Sequence, residues 1–592
     1  MNTDPKPTAS KPDSKYWNLR ALDTEAVGSL AMDLNETQLL TSVLYNRGVR
    51  TPEDAVRFLH PNMNDLVDSF LMYNMQPAVD RILKAIEDKE EILIFGDNDV
   101  DGVTSTTLVY QFLASFDANV KYFLPRRKED GHGFNDETIN AALSLHTPTL
   151  LISVDCGMSG VDEIERLKEK GIDVIVVDHH APPERVPQTI ILNPKQDEDH
   201  FPHDDLAAVG VTFHLVDALV KTCLDRGIYR QYGMQPPSMM DQLDLVCLGT
   251  IADVVPLLGE NRTFVSLGLD VIRKRKRSGI AALLSDVGAD DKYITERTIC
   301  YRLAPRINAA GRVGDPNICV ALLTAYRFTN AQLIARELEN YNHLRQNAEV
   351  SMISEATAMA QQQVLEGRKV LVIAKEDWQQ GILGIISSRI LDKFYKPTVV
   401  ISINDGMGRG SARSPEGFSI LDAFTSCKEL IDDYGGHHSA AGLSLKAENI
   451  EELAKRLNRF ASVQMSEGSV PRRSLDIDAE ATVSELLTLW HNQYLEWLAP
   501  FGTGNKEPTF LLKDAHIQLI KRLNHVYARV KIRQDSVGSL SLLVPTALTN
   551  ELKVGEAMNL VVTPKYAPHR DYPEFILLAT RKASLPMETD KS

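Results

Sequence analysis

Acidic and imidazole side chains follow a series of apolar segments in this 592-residue chain. In chain order they are Asp97, Asp99 and Asp101 in "GDNDVDG", Asp155 in "SVDCG", Asp178, His179 and His180 in "VVDHHAP", and Asp253 in "GTIADVVPL". Carboxylates that meet in a poorly solvated place repel one another unless cations neutralise them. Hard oxygen ligands with one or two imidazoles, and without thiolates, suit Mg²⁺ or Mn²⁺. Two such ions roughly 3.5–4 Å apart activate water and stabilise an in-line phosphoryl displacement.

Each of these acids has a simpler interpretation when it is taken alone. A single aspartate after an apolar segment is often a turn residue or a helix cap, and "DNDVDG" also resembles a calcium-binding loop. The later glutamate and the flanking helices of an EF-hand are missing around it. What favours a metal centre is the meeting of all four clusters, which depends on the elements that position them.

The segments before these clusters have the pattern of buried parallel strands. "EEILIFG", "TLLISVD", "IDVIVVD" and "QTIILN" are apolar runs, and helical stretches such as "GVDEIERLKEK" separate them. This alternation predicts an α/β fold with a doubly wound parallel sheet. Because ligands of open parallel sheets bind beyond the carboxyl ends of the strands, we expect the clusters to meet at that edge.

The rest of the chain predicts a second, smaller α/β domain and a C-terminal β-barrel. Residues 328–366 lack proline, end before Gly367 and predict a long helix that joins two domains. "RKVLVIAKE" and "KPTVVISIN" open the second α/β domain, and the period-two pattern of "HVYARVKIR" and "SLSLLVP" indicates the barrel. The expected divisions are a disordered tail at 1–15, a helical module at 16–80, the first α/β domain at 81–327, the connecting helix at 328–366, the second α/β domain at 367–465 and the barrel at 466–592.

Composition narrows the class of protein. The six cysteines are scattered without a CxxC pair, which argues against a zinc ribbon or a disulfide framework and for a reducing cytoplasm. No apolar segment is long enough to cross a bilayer, and the first residues lack the apolar region of a signal peptide, so no membrane partner is expected. The net charge of −16 argues against non-specific coating of nucleic acid, but a narrow basic channel is compatible with it. The basic run "RKRKR" at 273–277 is either a helix C-terminus or a phosphate-contacting patch.

The order of the motifs resembles that of a known enzyme family. "DNDVDG", "SVDCG", "VDHH" and "GTIADVVPL" are similar to the first four motifs of the DHH phosphoesterase superfamily, and "YGGHHSAAGLSL" resembles the signature of the associated DHHA1 domain. "RLAPRINAAGR", "GILGIISSRI" and "GRGSARS" narrow the resemblance to the RecJ family of bacterial single-strand-specific 5′→3′ exonucleases. "LAPFGTGNKEPTF" leads into a segment that resembles the family's OB-fold. Asn98 stands where the family has an aromatic residue, and "APHRDYPEFILLA" matches the family poorly.

The resemblance implies two divalent cations, Mn²⁺ or Mg²⁺, and a role for each clustered residue. One cation would be held by Asp99 and Asp155 with support from Asp97, and the other by Asp101, Asp155, His179 and Asp253. Asp155 would therefore bridge both cations. His180 would face the scissile phosphate and stabilise its developing charge, while Asp178 would orient an imidazole.

Later residues are expected to contact the DNA strand. The glycine-rich turn that holds Gly435, Gly436 and His437 permits close approach of a phosphate, although it also fits an ordinary turn before a strand. Candidates for gripping the backbone or the 5′ end are Arg306, Arg312, Ser411 and Arg413, where the arginines could instead form surface ion pairs. The candidate barrel face contains Lys521, Arg522, Arg529, Lys531 and Arg533, with Tyr527 as a stacking platform or a solvated edge.

The function implied by the resemblance is a metal-dependent exonuclease. It would degrade single-stranded DNA from the 5′ end to mononucleotides in DNA repair and recombination. The alternatives are a DHH phosphodiesterase that acts on short oligonucleotides or cyclic dinucleotides, and a non-catalytic replisome scaffold of the Cdc45 kind. Chain length argues against the first and the intact motifs against the second. The implied partners are single-stranded DNA, a single-strand-binding protein and a helicase, with the chain expected to be a cytoplasmic monomer.

Overall fold

A computed structural model of the chain describes residues 16–127, 130–131, 133–289, 293–465, 473–534, 538–565 and 573–583. The tail expected at 1–15 lies outside the described residues. The chain divides into two compact units, one built on Asn342–Leu475 and the other on Leu19–Tyr341 together with Asp476–Pro586. None of the helices within the described ranges has the length and apolarity that crossing a membrane requires.

The larger unit contains the predicted parallel sheet, which has five strands, one more than the four apolar runs indicate. Its strands are β2 Ile92–Gly96, β3 Val120–Phe123, β4 Leu150–Val154, β5 Asp173–Val177 and β6 Ile190–Leu192, after a short β1 at Trp17–Leu19. Their spatial order is β3-β2-β4-β5-β6, so the direction of winding reverses between β2 and β4. Gly96 is in register with Val154, and Val154 with Val177. The three strands that precede the clusters therefore end at the same level, beside the switch point where doubly wound sheets bind ligands.

Helices cover this sheet and extend beyond it. They are α1 Thr24–Leu34, α2 Gln38–Asn46, α3 Pro52–Leu59, α4 Met75–Glu87, α5 Val100–Ser115, α6 Asp136–Leu145, α7 Val161–Glu169, α8 Ala208–Asp225, α9 Ile228–Gln231, α10 Met239–Ala252, α11 Gly259–Arg273, α12 Ser278–Asp286, α13 Glu296–Thr298, a π-helical turn at Ile299–Leu303, α14 Ala304–Val313 and α15 Asn317–Thr324. Asp23, Thr37 and Thr51 cap α1, α2 and α3 by accepting backbone amides.

The smaller unit contains the second α/β domain. The long helix expected at 328–366 is present as α16 Phe328–Leu365. It is followed by β7 Leu371–Glu376, α17 Leu383–Phe394, β8 Thr398–Asn404, β9 Met407–Arg413, α18 Ile420–Thr425, β10 Asp433–Gly436, β11 Ala440–Lys446 and α19 Ile450–Gln464. The sheet order is β10-β11-β9-β8-β7, with β7 and β8 parallel and the other pairs antiparallel. Alternate residues of β7 pack into cores on opposite faces of this sheet, as strand geometry requires.

The C-terminal segment of the larger unit forms the predicted β-barrel. Its elements are β12 Leu475–Ile477, β13 Ala479–Glu480, α20 Val483–His491, α21 Tyr494–Leu498, β14 Phe510–Arg522, β15 Tyr527–Arg533, β16 Ser539–Pro545, α22 Thr546–Thr549, β17 Ala557–Pro564 and β18 Phe575–Lys582. The strands follow the order β14-β15-β16-β18-β17, and the pairing of β14 with β17 closes the barrel. Leu40 and Leu44 of α2 lie in the same apolar core as Leu512 and Leu560 of the barrel. The first three helices thus share a core with the end of the chain.

A buried arginine joins these distant segments of the larger unit. Arg262 of α11 is 2% exposed, and its guanidinium lies 3.8 Å from the centre of the Phe58 ring at the end of α3. It donates hydrogen bonds to the carbonyls of Phe58, Trp497, Leu498 and Ala499 at 2.6, 2.7, 3.1 and 2.8 Å. A buried cation requires such partners, so this arginine fixes the backbone that leads into "PFGTGN".

Candidate metal centre

The loop between β2 and α5 presents the first three carboxylates. Asp99 caps α5, because one of its oxygens accepts the amides of Asp101 and Gly102 at 2.9 and 3.1 Å. The two oxygens of Asp101 accept amides from the first turn of α8 at 2.7 and 2.9 Å. A side chain at Gly102 would place its Cβ 2.4 Å from the carbonyl oxygen of Asp97, so this tight turn requires glycine. Backbone contacts thus fix the carboxylates where the strand ends.

The second and third strands add Asp155 and His179 at the same edge. Nε2 of His179 lies 3.4 Å from a carboxylate oxygen of Asp155, 4.0 Å from Asp101 and 3.6 Å from Asp253. Asp253 comes from the C-terminal end of the helix α10. Asp155 has a φ of 60°, a backbone conformation that is uncommon for residues other than glycine. One imidazole therefore stands among three carboxylates from separate parts of the chain.

The donor atoms of these residues form three compact groups. Within each group they lie within 4.8 Å of one another, and the groups are Asp97 with Asp99 and Asp155, Asp101 with His179 and Asp253, and Asp155 with His179 and His180. The first group contains the three residues expected around one cation, and the second contains three of the four expected around the other. The fourth, Asp155, lies 3.4 Å from Nε2 of His179.

Electrostatics at this edge favours a bound cation. Burial, and then the charges of Asp101 and Asp99, raise the pKa of Asp155 well above its usual value. Burial, followed by the charge of Asp99, raises the pKa of Asp253 to about 7. Burial, and then the nearby His180, lower the pKa of His179 to about 3, so its imidazole is neutral, as metal ligation requires. A divalent cation bound at this edge would neutralise the carboxylates and remove the repulsion among them.

Unsatisfied buried atoms point the same way. Both ring nitrogens of His179 and one oxygen of Asp97 are buried and lack a hydrogen-bond partner among the described residues. Buried polar atoms of this kind are rare in folded proteins, and a bound ion supplies the missing partner. The residues present therefore fit divalent cations with oxygen and imidazole ligands.

Asp178 and His180 form a separate pair beside the donor groups. The buried carboxylate of Asp178 accepts the amides of His179 and His180 at 2.8 and 3.2 Å and lies 2.7 Å from Nδ1 of His180. Burial raises the pKa of Asp178, but the hydrogen bond and charge of His180 outweigh this effect and lower it. The same hydrogen bond raises the pKa of His180 to about 9. The half-exposed imidazole of His180 is thus held in its protonated form.

Two residues that sequence reasoning missed hold the histidine backbone in place. The side-chain amide of Asn193, which follows β6, donates to the carbonyl of His180 at 2.8 Å. Nζ of Lys195 donates to the carbonyl of His179 at 2.6 Å. Both belong to "LNPK", whose position at the end of the fourth apolar run is the signal that could have revealed them.

We expect Asn193→Ala to weaken metal binding. Without the amide, the loop that carries His179 and His180 can move, and losing a partner that orients metal ligands typically costs about 10–100-fold in affinity. The Mn²⁺ concentration that gives half-maximal activity should rise by about tenfold. Asn458→Ala is the control. The side chain of Asn458 also forms hydrogen bonds to the backbone, but at Lys369 and Val370 in the other unit. Equal midpoints for the two variants would contradict the assigned role.

Arg127 is a further residue of this edge that the sequence analysis did not single out. It follows β3, a four-residue strand that was not predicted and in which only Val120 and Phe123 are buried. Burial lowers the pKa of Arg127, although the nearby charges of Asp97 and Asp99 act to raise it. Its cation in turn helps to lower the pKa of Asp97, although burial raises that pKa overall.

The helix α14 carries Arg306 and Arg312 against the first acidic loop. Asn308 accepts the amide of Val100 at 3.2 Å, and a Cβ on Gly311 would clash with the carbonyl of Asn98, so the packing is close. Arg306 forms an ion pair with Glu339 at 2.5 Å and donates to the carbonyl of Arg302 at 2.6 Å. Arg312 is partly exposed in the last turn of this helix. Contact of Arg306 with a strand would have to compete with its existing ion pair.

In the smaller unit, Ser411 and Arg413 lie on β9 beside the N-terminus of α17. Arg413 donates to the hydroxyl of Ser411 at 3.2 Å. Both side chains lie close to Gly384 of α17, because a Cβ on that glycine would be 3.3 Å from the guanidinium and 3.4 Å from the hydroxyl. Burial lowers the pKa of Arg413, which has no carboxylate within 4 Å among the described residues. Helix N-termini attract anions, so this arrangement suits a phosphate.

The glycine-rich turn of the same unit is exposed. Gly435 and Gly436 end β10, and the amide of His437 donates to the carbonyl of Ala440 at 2.7 Å. Gly436 has a φ of 139°, and a Cβ there would lie 2.4 Å from the carbonyl of Ala440. His437 is exposed.

The basic residues of the barrel lie on one face of β15. Ala528, Val530 and Ile532 point into the core, and the three exposed residues between and after them are Arg529, Lys531 and Arg533. Lys521 lies opposite Arg529 on β14, which also carries Arg522, and Tyr527 is partly exposed at the start of β15. Arg529 lies 3.6 Å from the carboxylate of Glu574. The basic run at 273–277 is largely neutralised, because Arg273, Lys276 and Arg277 pair with Asp270, Asp241 and Asp244.

Comparison with known proteins agrees with this arrangement. The model of the DHH family N-terminal domain matches residues 91–250, and that of the DHHA1 domain matches residues 367–463. The single-stranded-DNA-specific exonuclease RecJ of Bacillus subtilis is 36% identical over 88% of this chain, which spans 64% of that protein's length. The RecJ exonuclease of Dickeya dadantii is 34% identical over 85% of this chain and 88% of its own length. The crystal structure of Thermus thermophilus RecJ in complex with Mn²⁺ is 26% identical, covers 96% of this chain and 80% of that one, and has a TM-score of 0.79. The motifs, the fold and these relatives together show that the chain belongs to the RecJ family.

Proposed function

We propose that this chain is a divalent-cation-dependent exonuclease that hydrolyses the phosphodiester bonds of single-stranded DNA. The observation that carries the proposal is the pair of three-donor groups beside Asp155 at the carboxyl edge of the sheet. Relatives that are 36% and 34% identical to this chain are single-stranded-DNA-specific exonucleases, which supports this substrate. Release of mononucleotides from the 5′ end, in DNA repair and recombination, completes the proposal and rests on the family resemblance.

Two cations are proposed to bind, one to Asp97, Asp99 and Asp155 and the other to Asp101, Asp155, His179 and Asp253. Cations in such a site polarise the phosphoryl group and supply a nucleophile at neutral pH. Either Mn²⁺ or Mg²⁺ fits these ligands, and Thermus thermophilus RecJ has been crystallised with each.

The chain's own residues then position and stabilise the phosphate. His180, protonated through its hydrogen bond to Asp178, donates to a phosphoryl oxygen as negative charge develops there. Asn193 and Lys195 hold the backbone of the two histidines, so the donor need not reorganise during the reaction.

Phosphates away from the reacting bond are proposed to bind elsewhere on the chain. Arg413 and Ser411 beside Gly384, with the turn of Gly435, Gly436 and His437, would hold a phosphate at the 5′ end. Arg312, and Arg306 once released from Glu339, would contact the backbone. We propose Arg529, Lys531 and Arg533, with Tyr527, as the path of the strand over the barrel. We further propose that the chain is a cytoplasmic monomer whose partners are a single-strand-binding protein and a helicase. Only the family resemblance supports this part of the proposal.

A panel of end-labelled substrates tests this function. In the presence of Mn²⁺, we expect mononucleotide release from a 5′-labelled single strand and little from the corresponding blunt duplex. A phosphodiesterase of small substrates would cleave a dinucleotide far better than a long strand, and a scaffold would cleave none of them. Either pattern would overturn the proposal.

The barrel face should govern affinity for long strands. Replacing Arg529, Lys531 and Arg533 with alanine in the full chain removes three charges from one face of a strand. The KM for long single strands should rise by about tenfold, and the slope of log KM against log salt should fall by about 0.7 for each phosphate that the variant no longer neutralises. Cleavage of very short oligonucleotides should change little. The full chain is required because the barrel shares its core with α1, α2 and α3.

A control variant that removes the same number of charges separates this effect from net charge. Lys84, Lys89 and Lys121 are exposed near the amino ends of β2 and β3, at the opposite edge of the sheet. Their replacement by alanine should leave the KM unchanged. If both triple variants bind long strands equally weakly, the barrel face is not the path.

A further inference from the structure

A cavity lies directly behind the last acidic motif in the larger unit. Its volume is about 400 Å³, and its walls come from the end of α10, the turn after Asp253, the segment 296–301 and the loop of "PFGTGN". This volume falls within the range of small-molecule pockets in proteins. None of the roles argued above uses it.

The cavity floor is buried and combines apolar walls with polar groups, among them the hydroxyl of Thr250 and the carboxyl groups of Glu296 and Glu507. Leu257 and Phe501, which are 3% and 6% exposed, supply apolar surface. The hydroxyl of Thr250 is fully buried and has no hydrogen-bond partner among the described residues. Glu296 is also buried, and burial raises its pKa to about 7, so its carboxyl group both donates and accepts hydrogen bonds near neutral pH. An unsatisfied hydroxyl and carboxyl groups among apolar walls suit a ligand with a flat apolar face and a polar edge.

The rim has the opposite character from the floor. Arg297 and Lys506 are exposed, and neither has a carboxylate within 4 Å in the described part of the chain. Burial raises the pKa of Glu507, which also lines the cavity, while the nearby charge of Arg297 acts to lower it. The guanidinium of Arg297 lies 5.5 Å from the ring centre of Tyr301, an aromatic side chain that is 52% exposed. Cations at the mouth and an aromatic ring beside them suit a phosphate and a stacking base.

The cavity is also adjacent to the candidate metal centre. Val254 lines the rim and follows Asp253 directly, so their Cα atoms lie about 3.8 Å apart. Val254 is 61% exposed and has a φ of 63°, a conformation that is rare for β-branched residues. A group seated in the cavity would therefore belong to a nucleotide close to the scissile bond.

We propose that this cavity is a base-binding subsite for one nucleotide next to the scissile phosphate. The base enters between the apolar walls, its polar edge pairs with Thr250 and Glu296, and its phosphate stays at the rim with Arg297 and Lys506. This inference rests on the proposed function, since it assigns one nucleotide of the single strand to a fixed place. Such a subsite binds a base near the reacting bond and thereby orients the scissile phosphate.

Single strands with one abasic residue test the subsite. A series of oligonucleotides carries the abasic residue at successive positions from the cleaved end. For each oligonucleotide, kcat/KM is measured for the bond that is cleaved while the abasic residue lies next to the metal centre. For the wild type, one position should lower kcat/KM by about tenfold. In Thr250→Val and Glu296→Leu, kcat/KM for the intact strand should fall toward the abasic value, with no further decrease from the abasic residue.

Thr212→Val is the matched control. Thr212 is a buried helical threonine whose hydroxyl also lacks a partner among the described residues, but it does not line the cavity. This variant should keep the full abasic effect. An absent abasic effect in an active wild type, or an equal effect in all three variants, would overturn the subsite while leaving the exonuclease intact. Absence of any single-strand cleavage would instead overturn the proposed function, and the subsite with it.

Discussion

Replacing Asp155 with alanine is expected to abolish hydrolysis while the chain stays folded. Asp155 lies in one donor group with Asp97 and Asp99, and its oxygen is 3.4 Å from Nε2 of His179 in the other. Asp155 is proposed to be shared by two cations, and losing such a ligand would remove several kcal/mol of transition-state stabilisation, so the rate should fall by at least about 10³-fold. Without cations, the variant should unfold at the same temperature as the wild type or higher, because it lacks one buried, repelled carboxylate.

The control for this prediction is an aspartate at the other end of the same sheet. Asp173 begins β5, is exposed and pairs with Arg81, so Asp173→Ala should keep its activity. Rates are measured on labelled single strands, and unfolding is followed by calorimetry with and without Mn²⁺. An Asp155→Ala variant with near wild-type rates would show that this residue does not hold the metals.

The two adjacent histidines should fail in different ways. His179 stands among three carboxylates with a neutral ring, whereas His180 is held protonated by Asp178. His179→Ala should weaken Mn²⁺ binding and recover part of its activity in excess metal. His180→Ala should bind Mn²⁺ normally and remain slow at saturation, by about 10²–10³-fold, since it loses a donor to the developing charge.

Metal titrations of both variants, by calorimetry and by activity, measure this difference. Nδ1 of His180 is occupied by Asp178, but His180 also forms a donor group with Asp155 and His179. If the two titrations coincide, His180 is a metal ligand and the assignment of a phosphate donor is wrong.

The sheet and its edge could be predicted from sequence because they depend on local pattern. Each apolar run is long enough to be a buried strand, and parallel strands place their carboxyl ends together whatever their order. The long helix at 328–366 and the alternation around Arg529 and Lys531 are equally local signals. Asp253 was expected at this edge because it follows another apolar run, and in the structure it lies at the end of a helix.

Features that depend on distant contacts could not be predicted. The apolar stripes of α1, α2 and α3 reveal that these helices bury a face, but not that the barrel covers it. The ion pair of Arg306 with Glu339 joins segments 33 positions apart, and nothing in "RLAPRINAAGR" selects it over a phosphate. Asn193 and Lys195 act through the backbone of other residues, so their residue types do not indicate a metal site and only their position after the fourth apolar run does. The strand β3 was not predicted because it is only four residues long and only its first and last residues are buried, so it lacks an apolar run.

The most direct test of the account is release of labelled mononucleotides from 5′-labelled single-stranded DNA by chelator-treated protein, measured as Mn²⁺ is added back. The account predicts no release in chelator and recovery as Mn²⁺ rises, because Asp97, Asp99, Asp101, Asp155, His179 and Asp253 act only with bound cations. Release that persists in chelator, or stays absent at saturating Mn²⁺ and Mg²⁺, would contradict it.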